Sequence, residues 1–356
     1  MRVGILSYPM LFQRDGGLQI QVRETVAALN RLALGAPRHL QVELVDPTRD
    51  RLDSYDLIHV FSAINGNYRI VELASELGLP VVLSPLLSPG WNHATGVLAR
   101  LADRLASKLT AWNVQTSYAQ SKRALQLADL VIALGEAERQ AIVTGFQIEP
   151  EKIEVYPNGI NAHFFSADAA LFRSATGIAG PFVLMVGAIS PYKNQLGLAR
   201  ALAEVDLPIV LIGAAQRPEH GYLQQLLRLP HVSWLGALPH ADPLLASAYR
   251  AAAVVALPSH GEVFPLAVLE ALAAGTPVVM TAQSALELPD AGFAMKKVRW
   301  DDAAGQRLAI CQLVGAAPDR AAVRALVSQF TWERAAGQIA ESYFRLGARG
   351  GLRRAV

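Results

Sequence analysis

The segment Pro258-Ser259-His260-Gly261-Glu262-Val263-Phe264-Pro265-Leu266-Ala267-Val268-Leu269-Glu270 sets two carboxylates around an expected helix start. Pro265 suits a first helical turn, Gly275 lies just past the last apolar repeat, and Pro277 prevents continuation. The amides of Leu266 and Ala267 would then lack intrahelical acceptors. With the positive end of the helix dipole, and with the amide of Phe264 close by, they would make a seat for a phosphate. Glu270 follows about one turn on. A carboxylate there repels phosphate but accepts hydrogen bonds from a neutral diol such as a ribose. Glu262, in the loop before the helix, would face the other end of the same ligand, where sugar hydroxyls suit it. Two glutamates eight apart are also common decoration of an amphipathic helix, and on the spacing alone that plainer reading would win.

The elements around the segment sharpen it. Apolar runs at 252–257 and 277–280 flank the helix, giving strand, loop, helix and strand, the order of a βαβ unit. Lys193 follows another apolar run, 182–187, in Gly187-Ala188-Ile189-Ser190-Pro191-Tyr192-Lys193-Asn194. At the carboxyl end of a strand an ammonium can neutralise a diphosphate as it departs, although a lone loop lysine is commonly a solvated charge. Further strands are expected at 209–213, 232–235 and, in an earlier series, 3–7, 42–45, 57–61, 81–84 and 130–134. Strands alternating with helices imply parallel sheets covered on both faces. In the first series Gly16 and Gly17 precede a helix expected at 18–34, where glycine lets backbone amides approach a phosphate or sugar.

Length and composition set bounds. With 356 residues, 52% hydrophobic and 17% charged, the chain is long enough for two cores. A net charge of +2 gives no basis for a nucleic-acid partner. The single cysteine, Cys311, excludes an internal disulfide and fits a reducing compartment. The opening Met1-Arg2-Val3-Gly4-Ile5-Leu6 leads into Ser7 and Tyr8 rather than a signal-peptide core, and no long charge-free apolar stretch appears, so a cytoplasmic protein is expected.

The segment from Glu262 to Glu270 resembles the Glu-x7-Glu signature of retaining GT-B glycosyltransferases, especially glycosyltransferase family 4. Val155-Tyr156-Pro157-Asn158-Gly159-Ile160-Asn161 is similar to the family's interdomain linker, and Phe330-Thr331-Trp332-Glu333 to the start of its terminal helix. The resemblance implies an α/β GT-B fold of two Rossmann-like domains facing a cleft. It places an acceptor domain at 1–156, a nucleotide-sugar donor domain at 157–330, and a helix at 331–356 that crosses back to the first domain.

The activity implied is transfer of a hexose, with retention, from a nucleoside-diphosphate sugar to a hydroxyl acceptor in surface polysaccharide, lipopolysaccharide or lipid-linked glycan synthesis. Lys193 and Glu262 are the implied catalytic residues. Gly16, Gly17, Lys193, Leu238, Glu262, Phe264, Leu266, Ala267 and Glu270 are the implied donor-binding residues. No cofactor is implied beyond a UDP- or GDP-linked donor, and no metal, since no Asp-x-Asp motif occurs and Asp301-Asp302 suits a helix start. An epimerase of the same fold and a non-catalytic nucleotide-sugar binding protein are the alternatives.

Three departures from the family stand out. Ala188 replaces an arginine that many members carry, Pro265 replaces a glycine, and Phe61 stands where His59-Val60-Phe61 would have a second histidine. His59 itself reads as a hydrogen-bonded core residue. The stretch Ser84-Pro85-Leu86-Leu87-Ser88 lacks the histidine usual after that strand, and His93 is out of register. Finally, 95–127 reads as one long helical region in which Arg100, Arg104 and Lys108 accompany Leu98, Leu101, Leu105, Leu109 and Trp112. Such a stripe suits either peripheral contact with the inner face of a membrane or a solvated face over an ordinary core.

Overall fold

The computed structural model describes residues 1–13, 16–34, 38–109 and 116–353. The first half forms a parallel sheet of β1 (Arg2–Leu6), β2 (Gln41–Leu44), β3 (Leu57–Phe61), β4 (Val81–Ser84), β5 (Leu130–Ala133) and β6 (Ile153–Val155), in the order β2-β1-β3-β4-β5-β6. The second half forms another from β7 (Val183–Val186), β8 (Ile209–Ile212), β9 (Val232–Trp234), β10 (Val254–Leu257), β11 (Val278–Thr281) and β12 (Met295–Val298), in the order β12-β11-β10-β7-β8-β9. Every strand pairing is parallel. Central strands such as β4, β5, β8 and β10 are buried along their whole length, as sheets covered on both faces require.

Strand order reverses between β1 and β3 in one sheet and between β7 and β10 in the other. Ligands of open parallel sheets bind in the crevice that such a reversal opens at the strands' carboxyl ends. Lys193 leaves β7 and Glu262 leaves β10, so the second reversal lies beneath both. Gly16 leaves β1 above the first.

The terminal helix Trp332–Arg353 packs on the opening helix Gly17–Ala33 of the first half. Thr331 caps it by accepting from the amide of Arg334 at 3.2 Å. Further along, Ser342 donates to Glu154 of β6 at 2.8 Å, Arg345 bonds the same carboxylate, and the Tyr343 hydroxyl lies 2.6 Å from Nδ1 of His59 on β3. The helix thus returns to the first sheet. The two chain crossings run side by side, with Ile160 bridged to Thr331 and its amide donating to the carbonyl of Phe330 at 2.9 Å. Gly159 makes this contact possible, because a Cβ there would sit 2.2 Å from the amide nitrogen of Trp332.

The region expected as one helix over 95–127 is two, His93–Leu109 and Ser117–Leu127. Thr116 starts the second by accepting from the amide of Ala119 at 3.2 Å and donating to Asp103 at 2.8 Å. Trp112 lies outside the described residues. Leu98, Leu101 and Leu105 are 67%, 56% and 60% exposed, so they do not face a core. Arg100 turns inward to the Tyr118 hydroxyl at 3.2 Å, and Arg123 pairs with Glu72 at 3.1 Å, while Arg104 and Lys108 are exposed beside the leucines.

Candidate active site

Two loops that leave neighbouring strands are tied to each other. The Tyr192 hydroxyl donates to the carbonyl of Gly261 at 2.8 Å, and the amide of His260 donates to the carbonyl of Tyr192 at 2.9 Å. The amide of Glu262 in turn donates to the carbonyl of Gln283, beyond β11, at 2.8 Å. These bonds bring Lys193 Nζ to 2.6 Å from Glu262 Oε1, in a pair whose side chains are 25% and 12% exposed. The lysine stem lies over Gly187, where a Cβ would come within 3.7 Å of its Cε. Where the arginine of the resembled family would stand, Ala188 offers only its carbonyl, which accepts from Gln195 Nε2 at 2.8 Å. Among these contacts the cation is Lys193.

The helix Leu266–Ala273 begins beside that pair, with Pro265 at its cap position in an extended conformation, φ −72° and ψ 116°. Val268 is the first amide bonded back, to the carbonyl of Pro265 at 3.1 Å. Leu266 and Ala267 therefore present first-turn amides with no backbone acceptor among the described residues. Gly275 ends the segment in the left-handed region, φ 78°, as expected from its position. Phe264 is buried against Phe330, with ring centroids 6.1 Å apart, and Leu266 is buried too, so neither side chain is free and what each can offer a ligand is its backbone.

Glu270 is 5% exposed and has partners that its spacing did not signal. Its Oε1 lies 2.7 Å from His240 Nε2, and its Oε2 accepts from the Tyr249 hydroxyl at 2.8 Å. Burial pushes the Tyr249 phenol well above its ordinary value, with Glu270 adding to the shift, so the hydroxyl stays a donor. Burial alone would lower the His240 imidazole, but the hydrogen bond and charge of Glu270, with Glu24, leave it above its ordinary 6.5. Leu238, two residues before His240, is partly buried against the core.

On the facing half, Gly16 caps the helix Gly17–Ala33 with its backbone alone, and a Cβ at Gly16 or Gly17 would meet nothing within 4 Å. The space beside this helix start is open. His59 is fully buried, with Nε2 2.9 Å from the Ser84 hydroxyl and Nδ1 bonded to Tyr343, which is the core role expected of it. Among the described residues no group of three or more His, Cys, Asp or Glu side chains is placed to hold a metal ion.

Residues 180–315 match the family described as glycosyl transferases group 1, and residues 11–159 match the glycosyl transferase 4-like domain. Two parallel sheets in this arrangement give the chain GT-B architecture, and each half carries one of these glycosyltransferase matches. It is 28% identical to a D-inositol 3-phosphate glycosyltransferase of Mycobacterium leprae, over 97% of this chain and 88% of that one. It is 34% identical to the enzyme of the same description from Segniliparus rotundus, over 63% of this chain and 54% of the relative. A further match, from Kribbella flavida, spans 43% of its length, so the chain spans about half the length of several curated relatives.

Among solved structures, Anabaena HepE in complex with UDP superposes with a TM-score of 0.70 at 22% identity, over 97% of this chain and all 100% of that one. Sucrose-phosphate synthase from Thermosynechococcus elongatus gives 0.73 at 22% identity, over 98% and 99% of the two chains. WaaG, a glycosyltransferase involved in lipopolysaccharide biosynthesis, gives 0.64 at 15% identity, over 96% and 99%. At these identities the likeness is one of fold.

Proposed function

We propose that the protein transfers a hexose, with retention, from a UDP- or GDP-linked donor to a hydroxyl acceptor in the cleft between its halves. The observation that carries this reading is the Lys193–Glu262 pair at 2.6 Å beside a helix start with two unbonded amides, above the strand reversal. The diphosphate sits on the amides of Leu266 and Ala267, with Gly16 and Gly17 approaching from the other half. Lys193 turns from Glu262 to the diphosphate, and Glu262 is released to hold hydroxyls of the donor sugar. Glu270 accepts from the ribose. Relatives described as D-inositol 3-phosphate glycosyltransferases support glycosyl transfer, and fold neighbours solved with UDP or UDP-glucose support this class of donor.

In the transfer step the bond from the anomeric carbon to the phosphate oxygen breaks, and a bond from that carbon to the acceptor oxygen forms. The acceptor's proton passes to the departing phosphate, whose negative charge Lys193 and the helix-start amides stabilise. The reaction needs no metal in this reading. Incubation with UDP-, GDP-, ADP- and dTDP-sugars tests it: transferred sugar supports it, whereas epimerised donor or binding without turnover would favour an isomerase or a non-catalytic protein.

The acceptor is a glycan or a lipid-linked molecule in surface polysaccharide or lipopolysaccharide synthesis, reached from the inner face of a membrane. The exposed face of Leu98, Leu101 and Leu105, with Arg104 and Lys108 beside it, supports that placement. Among the described residues no helix is long and apolar enough to cross a membrane. Flotation with vesicles containing anionic lipid should carry the protein upward at low salt. Exchange of the three leucines for serine should leave it in the soluble fraction, and equal flotation of parent and variant would count against the contact.

A further inference from the structure

A buried carboxylate that must receive a diol needs its own plane held. Glu270 enters from the helix Leu266–Ala273, His240 from the loop after β9, and Tyr249 from the helix Pro243–Ala251. One donor takes each carboxylate oxygen, His240 Nε2 at 2.7 Å and Tyr249 at 2.8 Å. Each oxygen of a carboxylate can accept twice, so one acceptor site per oxygen remains. With its two donors fixed on different elements, the carboxylate cannot turn about its own axis to suit a ligand that lacks one hydroxyl.

The two donors are not equivalent. Tyr249 is fully buried, while the His240 side chain is 17% exposed and stands at the solvent side of Glu270. Its ring lies against Phe164 with centroids 5.5 Å apart and 6.3 Å from the His163 ring, both on the short helix Ala162–Phe165 that follows the linker. The charged and titratable groups around it are Glu270, His163, Tyr249 and Glu24 of the facing half, whose carboxylate accepts from Asn161 at 3.1 Å.

We infer that His240 is a positioning residue of the nucleotide site, orienting the Glu270 carboxylate so that the enzyme selects ribonucleotides over their 2′-deoxy forms. The inference rests on the proposed role of Glu270 toward ribose. His240 acts through Glu270 and touches neither the phosphates nor the transferred sugar.

The test compares dissociation constants for a nucleoside diphosphate and its 2′-deoxy analogue, using whichever of UDP, GDP or ADP binds the parent most tightly. The ratio of the two constants is the readout, because partial misfolding lowers both affinities together and leaves their ratio unchanged. The parent should prefer the ribonucleotide about tenfold or more, as expected for a hydrogen bond to a charged group. His240→Ala should reduce the preference to about twofold or less. His240→Gln, which returns an N–H near the position of Nε2, should restore most of it. Glu270→Gln should abolish it with His240 intact. A preference lost in Glu270→Gln but retained in His240→Ala would overturn the inference and leave the ribose assignment standing. A preference unaffected by Glu270→Gln, or no binding of any of the three nucleotides to the parent, would remove the ribose reading itself.

Discussion

His59 should make this fold sensitive to acid, and the size of its effect follows from its surroundings. His59 sits in the middle of the first sheet with no exposed surface, its ring stacked on Phe61 at 4.3 Å between centroids. Its nitrogens meet the hydroxyls of Tyr343 and Ser84, and both hydroxyls could accept from a doubly protonated ring. Protonation is therefore opposed by burial of the charge rather than by loss of partners, and burial pushes the imidazole down to about 3. Below about pH 6.5 the unfolded chain takes up a proton that the native state refuses. The native advantage is complete above that value and is lost as pH falls toward 3, by about 1.4 kcal/mol per pH unit and about 5 kcal/mol in all.

Other groups titrate in the same window, so the informative quantity is the difference between the parent and His59→Asn, which keeps a hydrogen-bonding side chain without the titration. Urea unfolding followed by circular dichroism at pH 7.5, 6.5, 5.5 and 4.5 measures it. The variant should be the less stable protein at pH 7.5, and its deficit should shrink by about 3 kcal/mol by pH 4.5. Parallel stability curves over that range would refute the reasoning.

Glu138 should act in the opposite sense. Burial pushes its carboxyl up to about 7, against hydrogen bonds from the amides of Leu134, Leu87 and Leu86, so its contribution is complete below pH 4.5 and lost as pH rises through 7. Melting temperatures at pH 6 and 8 should therefore differ less in Glu138→Gln than in the parent. Gly159→Ala should destabilise by about 3 kcal/mol or more, because its methyl group would strike the Trp332 backbone; thermal unfolding reads this directly. Lys193→Ala should lower turnover by a factor of about 10² to 10³ while transfer by the parent persists in excess EDTA. Abolition by EDTA with rescue by manganese would contradict the metal-free reading.

Much of the scaffold was legible because buried parallel strands read as unbroken apolar runs, as at Val81–Ser84 and Val254–Leu257. The two strands that escaped notice are at sheet edges. Ile153–Val155 carries Glu154, which faces the terminal helix, and Met295–Val298 carries Lys296 and Lys297, so neither is an apolar run. That His93–Leu109 and Ser117–Leu127 are separate helices was hidden by periodic leucines, of which Leu98, Leu101 and Leu105 turned out to face solvent. At the candidate site, the placement of Lys193, Glu262 and Glu270 around the helix start was readable because each follows a strand or lies on the helix itself. His240 and Tyr249 were not, since they reach Glu270 from 30 and 21 residues away in the chain and no local spacing marks them. The tie between Lys193 and Glu262 was also invisible, because it depends on Tyr192 joining two loops.

In the proposed reading the helix start between Glu262 and Glu270 binds a nucleoside-diphosphate sugar with the ribose on Glu270 and the sugar on Glu262. Calorimetric titration of the parent, Glu262→Ala and Glu270→Ala with UDP, GDP and the corresponding glucose conjugates tests it most directly. Glu270→Ala should lose about 1.5 to 3 kcal/mol of affinity for the nucleoside diphosphate alone. Glu262→Ala should bind that nucleotide as the parent does and lose affinity only for the sugar conjugate. Parent-like binding of the nucleoside diphosphate by Glu270→Ala would contradict the account.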